Sequence, residues 1–126
     1  MSGDRYPLDT NAIVCLLRGG RPLHKRLQSA DWVGISILSL IEFLAFPNLS
    51  ENDRRLFHEF CESVDVVSLD KTERALIDRV ISLRRQHRLK LPDAIIAATA
   101  IERSAVLITD DQQVRKVPDV KSSGLD

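Results

Sequence analysis

The sequence contains few of the residues that build disulfide scaffolds, zinc sites or membrane spans. It has two cysteines and three histidines in 126 residues, with no CxxC pair and no Cys/His cluster at ligand spacing. Cys15 lies within an apolar run and is predicted to be a buried, reduced thiol. No apolar stretch approaches the roughly 20 residues that a membrane helix needs, and the N-terminus lacks the apolar region of a signal peptide. These absences predict a cytoplasmic protein without a membrane segment.

An excess of charge of one sign is also missing, since 18 basic and 18 acidic residues cancel. Nucleic-acid-binding domains usually carry a basic excess. The balance is not decisive, because a cluster of site carboxylates subtracts charge that a bound metal would offset. The basic run from Arg84 to Lys90 has two interpretations. The favoured interpretation is a solvated helix end whose charges complement the helix dipole. The alternative is a contact for phosphate groups.

Apolar strands alternate with amphipathic helices along the chain, which is 44% hydrophobic and 29% charged. This pattern predicts one α/β domain over residues 1–126, with a parallel sheet of four or five strands between two helix layers. A loose tail is expected from Lys121 to Asp126. The predicted strands are 5–9, 32–36, 64–68 and 106–109, with a weak fifth from Val120. The predicted helices are 12–18, 22–29, 38–46, 50–61, 70–87 and 93–102, the last opened by Pro92, with a short helix or turn after the fourth strand.

Acidic residues follow or flank the predicted carboxyl ends of several strands. Asp9 ends the first strand, and Asp110 and Asp111 follow the fourth. Asp93 lies in the first turn of its helix, and Glu42 lies about two turns into the helix after the second strand. Because ligands of open α/β sheets bind at this edge, we expect these acids to converge there.

Each aspartate also has a purely structural interpretation, as a helix cap, a complement to a helix dipole or a turn residue. Glu42 differs, because it interrupts an apolar helix in which a buried, unpaired carboxylate would be costly. Converging carboxylates repel one another unless a cation joins them. Oxygen ligands without cysteine or histidine favour Mg²⁺ or Mn²⁺ over zinc. The sequence has neither a P-loop nor a GxGxxG motif, so nucleotide binding of those kinds lacks support.

Four blocks of the sequence resemble the motifs of the PIN-domain family, and they occur in the family's order. They are LDTN at 8–11, the helix that contains Glu42, KLPDAIIAATA at 90–100 and VLITDD at 106–111. Each block alone is weak, whereas the first and third together are fairly specific. Within the family, the chain resembles the VapC-type toxin ribonucleases of type II toxin–antitoxin systems.

The resemblance implies a three-layer α/β/α sandwich and cleavage of RNA with one or two Mg²⁺ or Mn²⁺ ions. By position, the family's catalytic and metal-binding acids correspond to Asp9, Glu42, Asp93 and Asp111, with Asp110 as the alternative fourth ligand. Asn11 and Thr109 resemble the family's polar residues that orient the acids.

The resemblance also implies an RNA substrate, a homodimer and a cognate antitoxin that reaches the acid site with a basic side chain. Apolar residues on helices 12–18 and 38–46 exceed what one face of a sheet covers, so we expect some of them to serve such an interface. The alternative is a non-catalytic PIN-like module that binds RNA or protein. Retention of every acid favours the enzyme, because a scaffold has no reason to keep mutually repelling carboxylates.

Overall fold

The computed structural model describes residues 4–126, in which five strands and seven helices alternate. The strands are β1 (Arg5–Leu8), β2 (Trp32–Ser36), β3 (Asp65–Val67), β4 (Leu107–Ile108) and β5 (Ser122–Ser123). The helices are α1 (Thr10–Leu17), α2 (Arg21–Gln28), α3 (Ile37–Leu44), α4 (Glu51–Ser63), α5 (Arg74–His87), α6 (Leu91–Glu102) and α7 (Gln112–Arg115). None of these helices is both long and apolar enough to cross a membrane.

The five strands form one sheet in the order β3-β2-β1-β4-β5, and every pairing is parallel. β1 lies at the centre, where Leu8 is paired with Ile35 on one side and with Ile108 on the other. The chain extends the sheet through β2 and β3 and then returns to the opposite side of β1. The carboxyl ends of β1 and β4 therefore border a topological switch point, where open α/β sheets bind ligands.

Helices cover both faces of the sheet and form a separate apolar core on each. Leu107 belongs to the core that includes α5, α6 and α7, whereas Ile108 belongs to the core that includes α1, α2, α3 and α4. Successive residues of a strand point to opposite faces, so β4 contributes one side chain to each core. The predicted three-layer α/β/α sandwich is confirmed.

Helix α6 is buried along most of its length and fixes one wall of the sheet's carboxyl edge. Every residue from Ala94 to Ala100 is buried, and the helix packs against α5, β1, β2 and β4. Pro92 lies in the first turn, where a missing N–H leaves no helical hydrogen bond unmade. Because the rest of the helix is enclosed, Asp93 in this turn has a fixed position relative to the strands.

Several predicted boundaries differ from those in the structure. The helix predicted from Asp70 begins at Arg74, because the Asp70 carboxylate accepts hydrogen bonds from the N–H and hydroxyl of Thr72, at 2.7 and 2.6 Å, and holds a turn. β5 begins two residues after Val120, and Cys15, predicted to be buried, is half-buried.

The prediction of a loose tail at residues 121–126 is wrong. Within this segment β5 pairs with β4, and Arg26 donates hydrogen bonds to the carbonyl oxygens of Gly124 and Asp126 at 2.9 and 3.0 Å. The polar composition of the segment gave no sign of this packing, because its partner Arg26 is about a hundred residues away in sequence.

Candidate active site

A cavity of about 300 Å³ opens at the carboxyl edge of the sheet, beside the switch point. Its polar lining includes Asp9, Thr10, Asn11, Glu42, Asp93 and Asp111. These side chains come from the end of β1, from α1, α3 and α6, and from the turn after β4. The cavity therefore brings together four acids that are far apart in sequence, as the strand-end argument predicted.

Asp9 is held in place by hydrogen bonds to both of its carboxylate oxygens. It caps α1, where Oδ1 accepts the backbone N–H of Ala12 at 2.8 Å, and Oδ2 accepts the hydroxyl of Thr109. Thr109 is fully buried, and its hydroxyl oxygen also accepts the backbone N–H of Asp111 at 3.0 Å. One threonine hydroxyl thus links the acid that follows β1 to the acid that follows β4.

Asp110 and Asp111 are adjacent, but their side chains have different surroundings. Asp111 lines the cavity and caps α7, with Oδ1 accepting the backbone N–H groups of Gln113 and Val114 at 2.9 and 3.3 Å. Asp110 instead accepts the N–H of Leu125 at 3.2 Å and does not line the cavity. Asp111 therefore shares the cavity lining with the other acids and Asp110 does not, although the charges of both aspartates help to raise the pKa of Asp9.

Glu42 lies on an exposed side of α3, so it does not carry the cost of a buried carboxylate that its apolar neighbours suggested. Its Oε1 accepts the hydroxyl of Thr10 at 2.8 Å, and both residues line the cavity. Thr10 was not predicted to orient an acid, although its place directly after Asp9 at the end of a strand was a signal. Asn11 lines the cavity but, within residues 4–126, forms no hydrogen bond with an acid.

The electrostatics of the cavity disfavour charge on two of its acids. Burial raises the pKa of Asp9 above its ordinary value of 3.8, despite the hydrogen bonds that favour its charged form. Burial also raises the pKa of Asp93, and repulsion from Asp111, Asp9 and Glu42 adds to the effect, which Lys90 partly opposes. A cation in the cavity would relieve both the desolvation and the repulsion.

The match to a known family agrees with this geometry. The model of the PIN domain family matches residues 6–120, which include all four cavity acids. The chain belongs to the PIN-domain family. The resemblance described from the four sequence blocks is therefore confirmed, while no curated protein matches the chain.

Solved structures with this PIN fold include several toxin–antitoxin complexes. A toxin–antitoxin complex from Klebsiella pneumoniae has a TM-score of 0.73 and 25% identity, over 91% of this chain and 94% of the matched chain. VapBC2 from Rickettsia felis, bound to a promoter DNA fragment, has a TM-score of 0.81 and 18% identity, over 97% of this chain and 99% of the matched chain. DNA-bound VapBC from Salmonella typhimurium has a TM-score of 0.78 and 16% identity, over 98% of this chain and 99% of the matched chain.

The donor atoms of this PIN cavity fit a hard divalent cation in their chemistry. No group of three or more histidine, cysteine or acidic side chains within residues 4–126 is already arranged to hold a metal ion. The oxygen-only donors are nevertheless those that Mg²⁺ prefers. The hydrogen bonds of Glu42 and Asp111 each engage one carboxylate oxygen, Oε1 and Oδ1. Within residues 4–126, their second carboxylate oxygens accept no hydrogen bond from the protein.

Proposed function

We propose that this protein is a divalent-metal-dependent endoribonuclease and the toxin of a toxin–antitoxin pair. The observation that carries the proposal is the convergence of Asp9, Glu42, Asp93 and Asp111 on one cavity at the switch point of a PIN fold. Membership of the PIN-domain family and the similarity to toxin–antitoxin complexes support a toxin nuclease. Oxygen-only donors favour Mg²⁺ or Mn²⁺ as the cofactor, with one or two ions.

The acids have different parts in this proposal. Asp9 and Asp93 are proposed as the direct ligands, because burial makes their charges costly without a cation. Glu42 and Asp111 hold a second ion or orient water. A bound ion would activate a water molecule for attack on an RNA phosphodiester and offset charge on the phosphate oxygens. Thr109 orients the carboxylate of Asp9 through its hydroxyl hydrogen bond.

The experiment is RNA cleavage by purified protein with and without metal. We expect cleavage in Mg²⁺ or Mn²⁺, loss of cleavage in EDTA, and recovery when either ion is restored in excess. The Asp93→Asn variant, purified in the same way, controls for contaminating ribonuclease. EDTA-resistant cleavage would contradict the metal-dependent proposal. Binding of RNA without cleavage under every metal condition would favour the non-catalytic module.

We also propose protein partners for the surface around α3. Ile41 on α3 and Phe46 just after the helix are 54% and 42% exposed, and exposed apolar patches mark surfaces that bind proteins. A second copy of the chain and a cognate antitoxin, in the cytoplasm, are the partners proposed for this surface. Light scattering should find a dimer. A strict monomer at high concentration would contradict the dimer and leave the nuclease proposal intact.

A further inference from the structure

A stretch of basic residues leads from the end of α5 to the rim of the acid cavity. Arg84, Arg85, Arg88 and Lys90 are all exposed, and no acid occurs between Asp78 and Asp93. We call these four basic residues the basic strip. The ion pairs within residues 4–126 are Arg55–Glu59, Arg79–Glu102 and Arg115–Asp110. None of the four cations of the basic strip takes part in them.

The backbone holds the basic strip in a defined place. Arg88 has a left-handed conformation, with φ of 55°, and its N–H donates to the carbonyl oxygen of Arg84 at 3.0 Å. Leu89 is buried, and the carbonyl oxygen of Lys90 accepts the N–H of Ala94 as α6 begins. Arg88 and Lys90 therefore emerge on either side of an anchored residue, and Lys90 lines the cavity.

Helix stability explains only part of the basic strip. Arg84 and Arg85 lie in the last turn of α5, where cations complement the negative end of the helix dipole. Lys90 occupies the N-cap of α6 and makes no side-chain capping bond. A cation is unfavourable at this positive end of a helix. Its position is better explained by what it faces, which is the cavity with Asp93.

We propose that the basic strip binds the phosphate backbone of the RNA strand that enters the acid cavity. Four carboxylates in the cavity repel phosphates, so a substrate strand needs cations beside the cavity to hold it there. Contacts with phosphates carry no sequence information, so the basic strip contributes affinity and register and not sequence preference. The inference rests on the proposed ribonuclease function and adds the path of its substrate.

The test compares two double variants that each remove one arginine and one lysine charge. Arg88→Gln/Lys90→Gln alters the basic strip. Lys71→Gln/Arg74→Gln is the matched control, since both residues are exposed and lie at the other end of α5, about 20 Å away at 1.5 Å per residue. Both double variants are made in the Asp93→Asn background, which prevents cleavage, and thermal unfolding verifies that they fold.

The readout is the affinity for a fluorescent oligouridylate, measured by anisotropy over a series of salt concentrations. Each lost phosphate contact should reduce the salt slope by about 0.7, which corresponds to roughly 5-fold weaker binding at 0.1 M salt. We expect this change for the strip variant and none for the control. Equal slopes for the two double variants, or no RNA binding by the Asp93→Asn parent, would overturn the inference.

The binding assay also separates this inference from the proposed function. If the wild type cleaves RNA and the strip variant binds RNA like the control, the inference fails and the ribonuclease stands. If the basic strip governs binding but no RNA is cleaved with any metal, the catalytic proposal fails and the basic strip stands. If the strip variant loses binding to an acidic protein partner while RNA binding is unchanged, the basic strip serves protein contact and the inference is overturned.

Discussion

The two ends of helix α6 place an acidic residue in opposite electrostatic surroundings. Asp93 in the first turn lies near three other acids, and its pKa is raised. Glu102, the last residue of the helix, is paired with Arg79, whose Nη2 lies 3.0 Å from Oε2. The helix dipole favours an acid at the first end and disfavours one at the second. The neighbouring acids therefore disfavour Asp93 where the dipole favours it, and Arg79 favours Glu102 where the dipole disfavours it. Only the neighbours of Glu102 stabilise the charge that they surround.

Asp93→Asn should have the largest effect on this comparison. Under the proposed function Asp93 would hold the ion that activates the attacking water, so its loss should reduce RNA cleavage on the order of 10²–10⁴-fold. Without metal, the lost dipole interaction of roughly 0.3–1 kcal/mol should be offset by relief of repulsion, so stability stays equal or rises. The stabilisation gained on adding Mn²⁺ should shrink. Cleavage assays and thermal unfolding with and without Mn²⁺ measure these changes.

A different result would assign Asp93 a purely structural role. That result is a variant that is less stable without metal, still cleaves RNA and still responds fully to Mn²⁺. Glu102→Gln on the same helix removes the same charge outside the cavity and is the matched control for all three measurements.

Thr109→Val should have the next largest effect, because one hydroxyl connects two cavity acids. The variant leaves Oδ2 of Asp9 without a donor and the N–H of Asp111 without an acceptor. We expect about 10–100-fold weaker Mn²⁺ binding, as for other lost partners of metal ligands, and a loss of about 1–3 kcal/mol in stability. Thr109→Ser keeps the hydroxyl and should retain most of the Mn²⁺ affinity. Calorimetric titration measures the Mn²⁺ affinity of both variants. An unchanged affinity in Thr109→Val would contradict a role of Thr109 in positioning the metal ligands.

The pH dependence of the metal-free protein sharpens the comparison further. Because the folded pKa values of Asp9 and Asp93 are raised above 3.8, the folded state holds more protons than the unfolded state at pH values between 3.8 and the folded pKa. The contribution of these groups to the free energy of unfolding therefore falls as pH rises through that interval. In Asp93→Asn, the free energy of unfolding should fall less steeply with pH, because the contribution of Asp93 is gone. Urea unfolding at several pH values, with a chelator, checks the difference. Parallel curves for wild type and variant would contradict it.

Glu102→Gln should have the smallest effect. Its ion pair with Arg79 is partly exposed, because the side chains of Glu102 and Arg79 are 29% and 40% exposed. Such ion pairs contribute about 0–1 kcal/mol to the free energy of unfolding. RNA cleavage and Mn²⁺ affinity should not change. A loss of cleavage comparable with that of Asp93→Asn would show that the two ends of α6 are not separate in function.

Much of the fold follows from local patterns in the sequence. Strands and helices alternate, so a parallel sheet with helices on both faces was predictable. The strand-end positions of Asp9 and Asp111 followed from the same reasoning. Local patterns did not predict the contacts of the tail, because Arg26 meets Gly124 and Asp126 only after the chain has folded.

The exposure of Glu42 was not predictable from its apolar neighbours. Apolar residues surround it in the sequence, yet α3 leaves Ile41 and Glu42 on its exposed side. Which residues of a short helix are covered depends on the elements that pack against it. The hydroxyl of Thr10 as the partner of Glu42 is a consequence of the same packing between α1 and α3.

The sequence by itself determined that acids gather at one edge of a parallel sheet, because strand ends and helix starts are encoded by neighbouring residues. Only the tertiary structure decided which acids face the cavity. Asp110 and Asp111 are identical in type and adjacent, and only the position of Asp111 two residues after Thr109, as in the family's pattern, favoured it over Asp110. The N–H of Leu125 binds Asp110, while the N–H groups at the start of α7 and the hydroxyl of Thr109 hold Asp111 at the cavity. The choice depends on β5 and the final residues packing beside β4, a contact that forms only when the sheet is assembled.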